Sequence, residues 1–375
     1  MNHRLAGLVL LSFCWSHSLR ADVVLPGLVP NLVCYYDFEH PVAGDPAREG
    51  DLGFSATDIS LINGDVVMRV NDGAYAGSAH SLQTQQFNPD TNSNDDWKAG
   101  LYQTNGVVSL NAFSSVAGIT LMGWVKPTGT NPNLNSVTPA TNDFYNAVGL
   151  FGLLSGDSDG HGVRALLEVI NVAGTLRLVA LGRRLDGGNS LTLAATNDWH
   201  ALIPNDVWTH LAATFDYDNG TMALYRNGTP LGASYTTTGD AWGVVGGIEP
   251  DLASASNPAG IKTGGSFPQN TVERNAFNGR FDDLMFFNKV LSAAEVQSQY
   301  ARFPPAPPLL SCNSNNNEIT LSWPLSGAGY LLEAKTNLAA GGWILVSDPP
   351  VTNGEALSVT LPITWTQHFF RLRRL

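Results

Sequence analysis

The chain has 375 residues and a formal net charge of −12 at pH 7, and only 14% of its residues are charged. This negative charge argues against nucleic acids and anionic membranes as partners, because binding to phosphate groups needs clustered lysine and arginine. Glycine (38) and proline (21) are plentiful, which favours many turns between short strands over long helices. We therefore expect an all-β protein with one large domain or two unequal domains.

Residues 1–21 have the pattern of a signal peptide. Arg4 gives a positive start, Leu5 to Trp15 is apolar but too short to span a bilayer, and Ala21 offers a small residue for cleavage. No later apolar run approaches membrane-spanning length. The sequence thus predicts a protein that is secreted, either extracellular or at the cell surface, with no membrane span.

Repeated strand signals follow between residues 31 and 303. The clearest carry β-branched or aromatic residues bounded by turn residues: LVCYYDF, ITLMGWVKP, ALLEVINVAGTLRLVAL and WTHLAATFDYDNGTMALYRNGTPLG. In the last segment, Asn219-Gly220 and Asn227-Gly228 supply the positive φ angles that tight hairpins need. We expect three successive antiparallel strands there.

Two adjacent aspartates interrupt the apolar strand RFDDLMFF, residues 280 to 287. Because successive side chains of a strand point to opposite faces, Asp282 and Asp283 must each lie among apolar neighbours. Burial of a carboxylate there is costly unless a cation or a hydrogen-bond donor meets it. The partners of these two groups are therefore a structural question.

The last third of the chain predicts one helix and a second domain. Ser292-Ala293-Ala294-Glu295 is a capping box, and the helix that it begins must end before Pro304-Pro305. Residues 304–310 form a proline-rich linker, and residues 311–375 contain several short strand signals, as expected of a small β-domain. Cys34 and Cys312 fall in different domains and could form a disulfide or remain as two buried thiols.

The order of these features resembles the laminin G-like, concanavalin A-like jelly-roll family of secreted bacterial proteins. Six segments carry the resemblance in the family's order: YYDFE, LINGD, ITLMGWVKP, VWTHLAATFD, YRNGTPLG and GRFDDLMFFNKVLSAAEV. It implies that residues 22–303 form two antiparallel sheets packed face to face, with the capped helix just after the last strand. Residues 311–375 resemble a small β-sandwich module that is often appended to such domains. Three long polar stretches, 85–106, 128–147 and 237–277, are expected to be loops.

In this family the first acid of the last strand lies on the core side, which would place Asp282 level with Leu284 and Phe286. One interpretation is structural: Asp282 accepts hydrogen bonds from backbone N–H groups or from Arg280 or Arg274.

The other interpretation is a structural calcium ion. First and last strands of such jelly rolls pair, so Asp282 could share the ion with Asp37 or Glu39 of the opening strand, since calcium prefers oxygen ligands. The string Asp157-Ser158-Asp159-Gly160 lacks the glutamate that closes an EF-hand loop and is better explained as a turn.

Sugar recognition needs aromatic rings in loops or on a sheet face, with polar side chains beside them for the hydroxyl groups. Trp124 and Trp208 lie within strand motifs and are expected to fill the core. Five aromatic residues in polar or turn-rich contexts are candidate ligand-binding platforms, although each could instead be half-buried against its own scaffold: Trp97, Tyr102, Tyr145, Trp199 and Trp242.

Catalysis is not predicted. Related glycan hydrolases carry an E-x-D-x-x-E strand motif, and its nearest match here, Glu249-Pro250-Asp251, lacks the third acid and contains a proline that a central strand excludes. Nucleophile-elbow, phosphate-loop and HExxH patterns are absent from the sequence, and the histidines lack the spacing of a zinc site.

The sequence therefore predicts a secreted, non-catalytic protein that binds an extracellular carbohydrate or glycoprotein through the loops or the concave sheet of its first domain. Two alternatives stay open. One is a structural or adhesive cell-surface protein whose C-terminal module serves as an anchor, and the other is a glycan-active hydrolase.

Overall fold

The computed structural model describes most of the chain after the predicted signal peptide. The described residues are 23–61, 68–84, 99–103, 106–128, 148–155, 163–185, 191–236, 259–265, 277–303, 308, 310–315, 317–325, 329–337, 342–354, 356–363 and 368–374. Contacts divide the chain into two compact units. The first comprises Met1–Val70 and His80–Phe303, and the second comprises Asn71–Ala79 and Pro304–Leu375.

The first unit contains eighteen of the described strands, two short α-helices and two 3-10 helices, the latter at Val29–Asn31 and Val108–Phe113. The strands are β1 (Leu32–Tyr36), β2 (Pro41–Val42), β3 (Asp45–Glu49), β4 (Ile59–Leu61), β5 (Met68–Val70), β6 (Ser81–Thr84), β7 (Ala99–Gln103), β8 (Gly118–Pro127), β9 (Val148–Ser155), β10 (Val163–Val172), β11 (Thr175–Gly182), β12 (Leu191–Ala195), β13 (Thr209–Asp216), β14 (Thr221–Arg226), β15 (Thr229–Pro230), β16 (Ala233–Tyr235), β17 (Ala259–Thr263) and β18 (Gly279–Phe287). The α-helices are α1 (Trp199–Leu202) and α2 (Ala293–Tyr300).

These strands form two antiparallel sheets around one core. An eight-stranded sheet has the order β15-β14-β13-β8-β18-β6-β5, and β1 also pairs with β18. A ten-stranded sheet has the order β16-β12-β11-β10-β9-β17-β7-β4-β3-β2. The apolar core lies between them, and it includes Leu121 and Phe215 from the first sheet and Leu167 and Leu178 from the second. The expected two-sheet sandwich is confirmed.

The hairpins after residue 207 are also confirmed. Strands β13, β14 and β15 are successive neighbours, and the second turn has positive φ angles at Asn227 (50°) and Gly228 (76°). By contrast, two strands lie inside stretches that were expected to be loops. Strand β7 lies within 85–106 and β17 within 237–277, and the two pair with each other in the ten-stranded sheet. Both are rich in small or polar residues, so their sequences lack the usual apolar alternation.

The first and last strands of the sandwich pair, as the resemblance implied. Tyr35 lies opposite Met285, and Tyr36 lies opposite Leu284. The position of Asp282 differs from the expectation, however. Asp282 lies opposite Trp124, whereas Phe281 and Leu284 both belong to the core between the sheets. Since directly opposite residues share a face, Asp282 lies on the outer face of the eight-stranded sheet, and not level with Leu284.

A β-bulge explains why Asp282 and Leu284 lie on opposite faces of the sheet. The register between β18 and β8 shifts between Asp282 and Met285, and Asp283 within the bulge has a φ angle of 48°. Gly123 lies opposite the bulge, where an added Cβ would come within 2.4 Å of the Leu284 side chain. The side chain of Asp283 accepts a hydrogen bond from the Tyr35 hydroxyl, and Asp282 Oδ1 accepts one from the Asp283 backbone N–H at 2.9 Å. A bulge has no signature in the residue pattern, so the sequence predicted the wrong face.

Helix α2 packs on the outer face of the eight-stranded sheet, where the Tyr300 ring contacts Trp124 and His210, and the segment before β1 contacts the helix. The predicted capping box at Ser292 and Glu295 is present. Gln299 of α2 is fully buried: its Oε1 accepts the Leu25 backbone N–H at 2.9 Å, and its Nε2 donates to the Val23 carbonyl at 2.8 Å. This face is therefore occupied by the protein itself.

A buried histidine lies beneath the end of α2. The His210 ring lies 5.3 Å from the rings of Trp124 and Tyr300 and 5.4 Å from that of Phe303. Among the described residues, neither of its ring nitrogens has a hydrogen-bond partner. Burial lowers the pKa of His210 to about 3, so the imidazole is neutral and acts as a packing residue.

The second unit contains seven described strands: β19 (Ser311–Ser314), β20 (Glu318–Pro324), β21 (Tyr330–Lys335), β22 (Ile344–Leu345), β23 (Val351–Asn353), β24 (Ala356–Pro362) and β25 (Phe369–Arg374). They form a four-stranded sheet, β19-β20-β24-β23, and a three-stranded sheet, β22-β21-β25. Trp323 and Leu332, from different sheets, meet in one core. The cysteines Cys34, which is buried, and Cys312, which is exposed, are free thiols.

Candidate functional site

The carboxylates predicted to bind calcium are held by other side chains. The Asp37 carboxylate is buried and lies 2.8 Å from Nδ1 of His40, and it also accepts the Glu39 backbone N–H at 3.0 Å. The Glu39 carboxylate lies 2.5 Å from Nδ1 of His80 and accepts the His80 backbone N–H at 2.8 Å. Each acid thus has donors without a metal ion.

The predicted ligands do not fit a calcium site as a set. Within the described ranges, no group of three or more histidine, cysteine, aspartate or glutamate residues is arranged to hold a metal. Asp282 lies on the outer sheet face and accepts a backbone N–H, which agrees with the structural interpretation of that residue. Calcium binding by Asp282, Asp37 and Glu39 stays a prediction without a ligand set.

Of the five aromatic residues predicted to bind a ligand, the structure describes the side chain of one, Trp199. Trp199 is fully buried, belongs to the core between the sheets and lies 6.2 Å from the ring of Phe277. A ring in that position cannot present a face to a ligand, so Trp199 is a core residue. Trp97, Tyr145 and Trp242 lie outside the described residues, as does the side chain of Tyr102, whose backbone pairs with Gly260.

The outer face of the ten-stranded sheet carries a charged pair that the sequence did not single out. Glu168 lies in the middle of β10, opposite Val179 of β11 and Gly149 of β9. Its side chain shares the outer face with Leu166 and Ile170, since Leu167 and the other alternate residues of β10 belong to the core. Glu168 is only 5% exposed.

Lys262 of β17 approaches Glu168 over a glycine. Lys262 lies opposite Gly152 of β9, and its Nζ is 3.2 Å from the place that a Cβ of Gly149 would occupy. Gly149 is the residue directly opposite Glu168, so the missing side chain leaves room for the ammonium group beside the carboxylate. Lys262 is 4% exposed. We call these two residues the Glu168–Lys262 pair.

The electrostatics of the pair are unusual for a structural carboxylate. Burial raises the pKa of Glu168 to about 7, and the charge of Lys262 only partly opposes this effect. No described residue forms a hydrogen bond to the Glu168 carboxylate. Glu168 is therefore a buried acid with a pKa near neutral pH beside a buried lysine, and strongly shifted pKa values are concentrated at functional sites.

Two small apolar clusters flank the pair on the same face. One contains Ile170, Val179 and Ala194, and the other contains Leu154, Val163 and Leu166. All six residues are at most 2% exposed, so the face combines two buried apolar clusters with one acceptor and one donor between them. A few polar groups among apolar side chains are also the composition of a small-molecule site.

A comparison with known protein families shows which family the chain belongs to. Residues 102–297, more than half of the chain, match the model of the "Concanavalin A-like lectin/glucanases superfamily". The chain belongs to this superfamily. The matched residues include β8 to β18 and therefore both Glu168 and Lys262. The resemblance that the sequence motifs indicated is confirmed.

Three solved structures are similar to the chain, each at low sequence identity and with a TM-score below 0.5. The binding domain of Paraclostridial Mosquitocidal Protein 1 is 14% identical, with 87% of this chain and 66% of that chain covered and a TM-score of 0.45. The botulinum neurotoxin serotype G binding domain is 13% identical, with 89% and 65% covered and a TM-score of 0.43. Trypanosoma rangeli sialidase, in complex with a difluoro-nononic acid, is 13% identical, with 72% and 32% covered and a TM-score of 0.44.

The chain thus spans about two thirds of the toxin domains and about one third of the sialidase. No curated protein matches the chain. Within the described residues, no helix is long and apolar enough to cross a membrane.

Sequence reasoning missed the Glu168–Lys262 pair for two reasons. Lys262 lies in a strand that was taken for part of a loop. Glu168 stands in ALLEVINV as a single charge within an apolar strand, which is the same signal that drew attention to Asp282. A search of every predicted strand of this concanavalin A-like chain for a single charge among apolar residues would have found Glu168.

Proposed function

We propose that the protein is a secreted, non-catalytic glycan-binding protein that holds its ligand on the outer face of the ten-stranded sheet. The observation that carries this proposal is the buried Glu168–Lys262 pair, in which burial raises the pKa of the carboxyl group to about 7. A buried carboxylate destabilises the fold when its lost hydration is only partly replaced. It is retained at a site where a ligand supplies the donors.

The chemistry of the face suits a sugar. Hydroxyl groups of a sugar would donate to Glu168 and accept from Lys262, among the apolar side chains of Val179 and Leu166. Membership of a superfamily of lectins and glucanases supports a carbohydrate ligand. All four side chains are at most 5% exposed, so the proposal requires this sheet face to be uncovered when the ligand binds.

The pKa of Glu168 near 7 gives the hydrolase alternative one supporting observation, because a general acid in a glycosidase has such a value. That chemistry needs a second carboxylate on the opposite side of the glycosidic bond. Among the described residues, Lys262 is the one charge that shifts the pKa of Glu168. We therefore favour binding over hydrolysis.

The proposal is tested on an array of neutral glycans, with the full secreted chain and three variants. Lys262→Gln and Glu168→Gln are each expected to weaken binding about tenfold or more, as is usual for the loss of a charged hydrogen-bonding partner. Lys289→Gln changes an exposed lysine on the other side of the sandwich and serves as the matched control.

Three results count against the proposal. If all three variants bind like the wild type, the ligand does not contact the Glu168–Lys262 pair. If no glycan binds while the protein adheres to other surface proteins, the adhesive alternative is favoured. If reducing sugar is released from the bound glycan and Glu168→Gln abolishes the release, the protein is a hydrolase.

A further inference from the structure

A charged face lies on the second unit, on the outer side of its three-stranded sheet. Glu333 lies opposite Arg371, and Lys335 lies opposite Phe369 in the pairing of β21 with β25. These residues alternate with Leu332 and Leu372, which pack in the core of the unit. The charged side chains therefore share the outer face.

One carboxylate orders two guanidinium groups on this face. Glu333 Oε1 accepts from Arg373 Nε at 2.6 Å, and Glu333 Oε2 accepts from Arg371 Nε at 2.9 Å. Hydrogen bonds from Arg373 and Arg371 hold the pKa of Glu333 below its usual value, so it stays ionised. Both arginine side chains remain nearly half exposed, at 49% and 44%.

The Trp343 ring lies beside two of the cations on this face, Arg371 and Lys335. The Arg371 guanidinium lies over the Trp343 ring at 4.3 Å from its centroid, and Lys335 Nζ lies at 6.0 Å. The face thus presents Lys335, Arg371 and Arg373 against Glu333, and Asp348 in the adjoining pocket is a second acid. This excess of positive charge contrasts with the net charge of −12 for the whole chain. Charge complementarity then calls for an anionic partner.

A pocket of about 470 Å³ adjoins this face, and Lys335 contributes to both. Thr336, Ser347 and His368 supply hydrogen-bonding groups in its lining, and Asp348 adds an acceptor. Leu345 of β22, which is 52% exposed, adds apolar surface. Hydroxyl-rich rings with acidic substituents suit this combination, because the pocket can bind the rings while the arginines bind the acids.

We propose that this face binds an acidic polysaccharide, in which carboxylate groups of sugar acids contact Arg371, Arg373 and Lys335 while neighbouring rings occupy the pocket. A nucleic acid is a poorer match, because three cations beside two acids are few for a phosphate backbone. The site lies on a different unit from the Glu168–Lys262 pair and does not depend on it.

The test measures calorimetric binding of polygalacturonic acid to the full chain at low and high salt. Fully methyl-esterified polygalacturonic acid is the uncharged match. We expect binding of the acid form that weakens as salt rises, and at least tenfold weaker binding of the ester. The double variant Lys335→Gln with Arg371→Gln should bind the acid form at least tenfold more weakly than the wild type.

Two further variants keep the test decisive. Lys335→Gln alone leaves the Glu333 contacts intact and should weaken binding several-fold even if the double variant does not fold. Lys262→Gln, in the first unit, should bind polygalacturonic acid like the wild type, which separates this site from the proposed neutral-glycan site. Equal binding of acid and ester, no effect of Lys335→Gln, or equally tight binding of polyglutamate or a thymidine oligonucleotide would overturn the proposal.

Discussion

Glu168 is expected to make the protein less stable as pH rises from about 4.5 to about 7. Its pKa is raised from 4.5 to about 7, so between these values the folded chain keeps a proton that the unfolded chain releases. The contribution of Glu168 to the free energy of unfolding is therefore greatest below about pH 4.5. It falls by at most about 3 kcal/mol as pH rises to about 7.

We expect Glu168→Gln to match the wild type in stability at pH 4.5 and to exceed it by about 2 to 3 kcal/mol at pH 8. Urea unfolding of both proteins at the two pH values measures this difference. Glu49, whose pKa burial also raises to about 7 despite the opposing charge of Arg69, is present in both proteins and cancels in the comparison. A difference that is the same at both pH values would contradict the assignment of the proton to Glu168.

The residue scale is also where sequence reasoning was least complete. The pattern RFDDLMFF correctly indicated that both aspartates are buried, since each is fully covered. It could not indicate which face each occupies, because the bulge at Asp283 depends on the pairing with β8. Trp199 shows the same limit, since a tryptophan next to polar residues can turn into the core when a one-turn helix directs it there.

At the scale of the element, the bulge between β18 and β8 offers a direct test of this packing. An added Cβ at Gly123 would come within 2.4 Å of Leu284 Cδ2 and 3.3 Å of Leu284 Cα. Leu284 belongs to the core, so its displacement disturbs the contacts on both sides of the bulge. We expect Gly123→Ala to lower the free energy of unfolding by roughly 1 to 3 kcal/mol, the usual effect of overpacking.

Chemical unfolding of Gly123→Ala and of Gly27→Ala makes the comparison. An added Cβ at Gly27 meets no atom within 4 Å, so that variant is expected to be as stable as the wild type. Equal stability of the two variants would show that β18 and β8 do not approach as closely as described.

Elements with strong local signals were predictable, and those that depend on partners were not. The hairpin turns at Asn227-Gly228 and the capping box at Ser292 are encoded by neighbouring residues, and both are present. Strands β7 and β17 are held by pairing on both edges, and their glycines contribute no hydrophobic signal. A reading based on alternation therefore placed both in loops.

At the scale of the whole molecule, the proposed ligand site gives the two sheets of the first unit different roles. The outer face of the eight-stranded sheet packs against α2, which is hydrogen-bonded to the segment before β1. The side chains of that face therefore stabilise the fold. The ten-stranded sheet keeps a costly acid and a lysine on its outer face. The fold class followed from composition and motif order, whereas the site needed the register of β9, β10 and β17.

The most direct test of the proposed glycan site is the pH dependence of glycan binding, measured by calorimetry with the tightest neutral glycan from the array. If sugar hydroxyls donate to ionised Glu168, binding should tighten about tenfold between pH 6 and pH 8, and Glu168→Gln should lose this dependence. A wild-type affinity that is constant across this range, or a pH profile that Glu168→Gln leaves unchanged, would contradict the account.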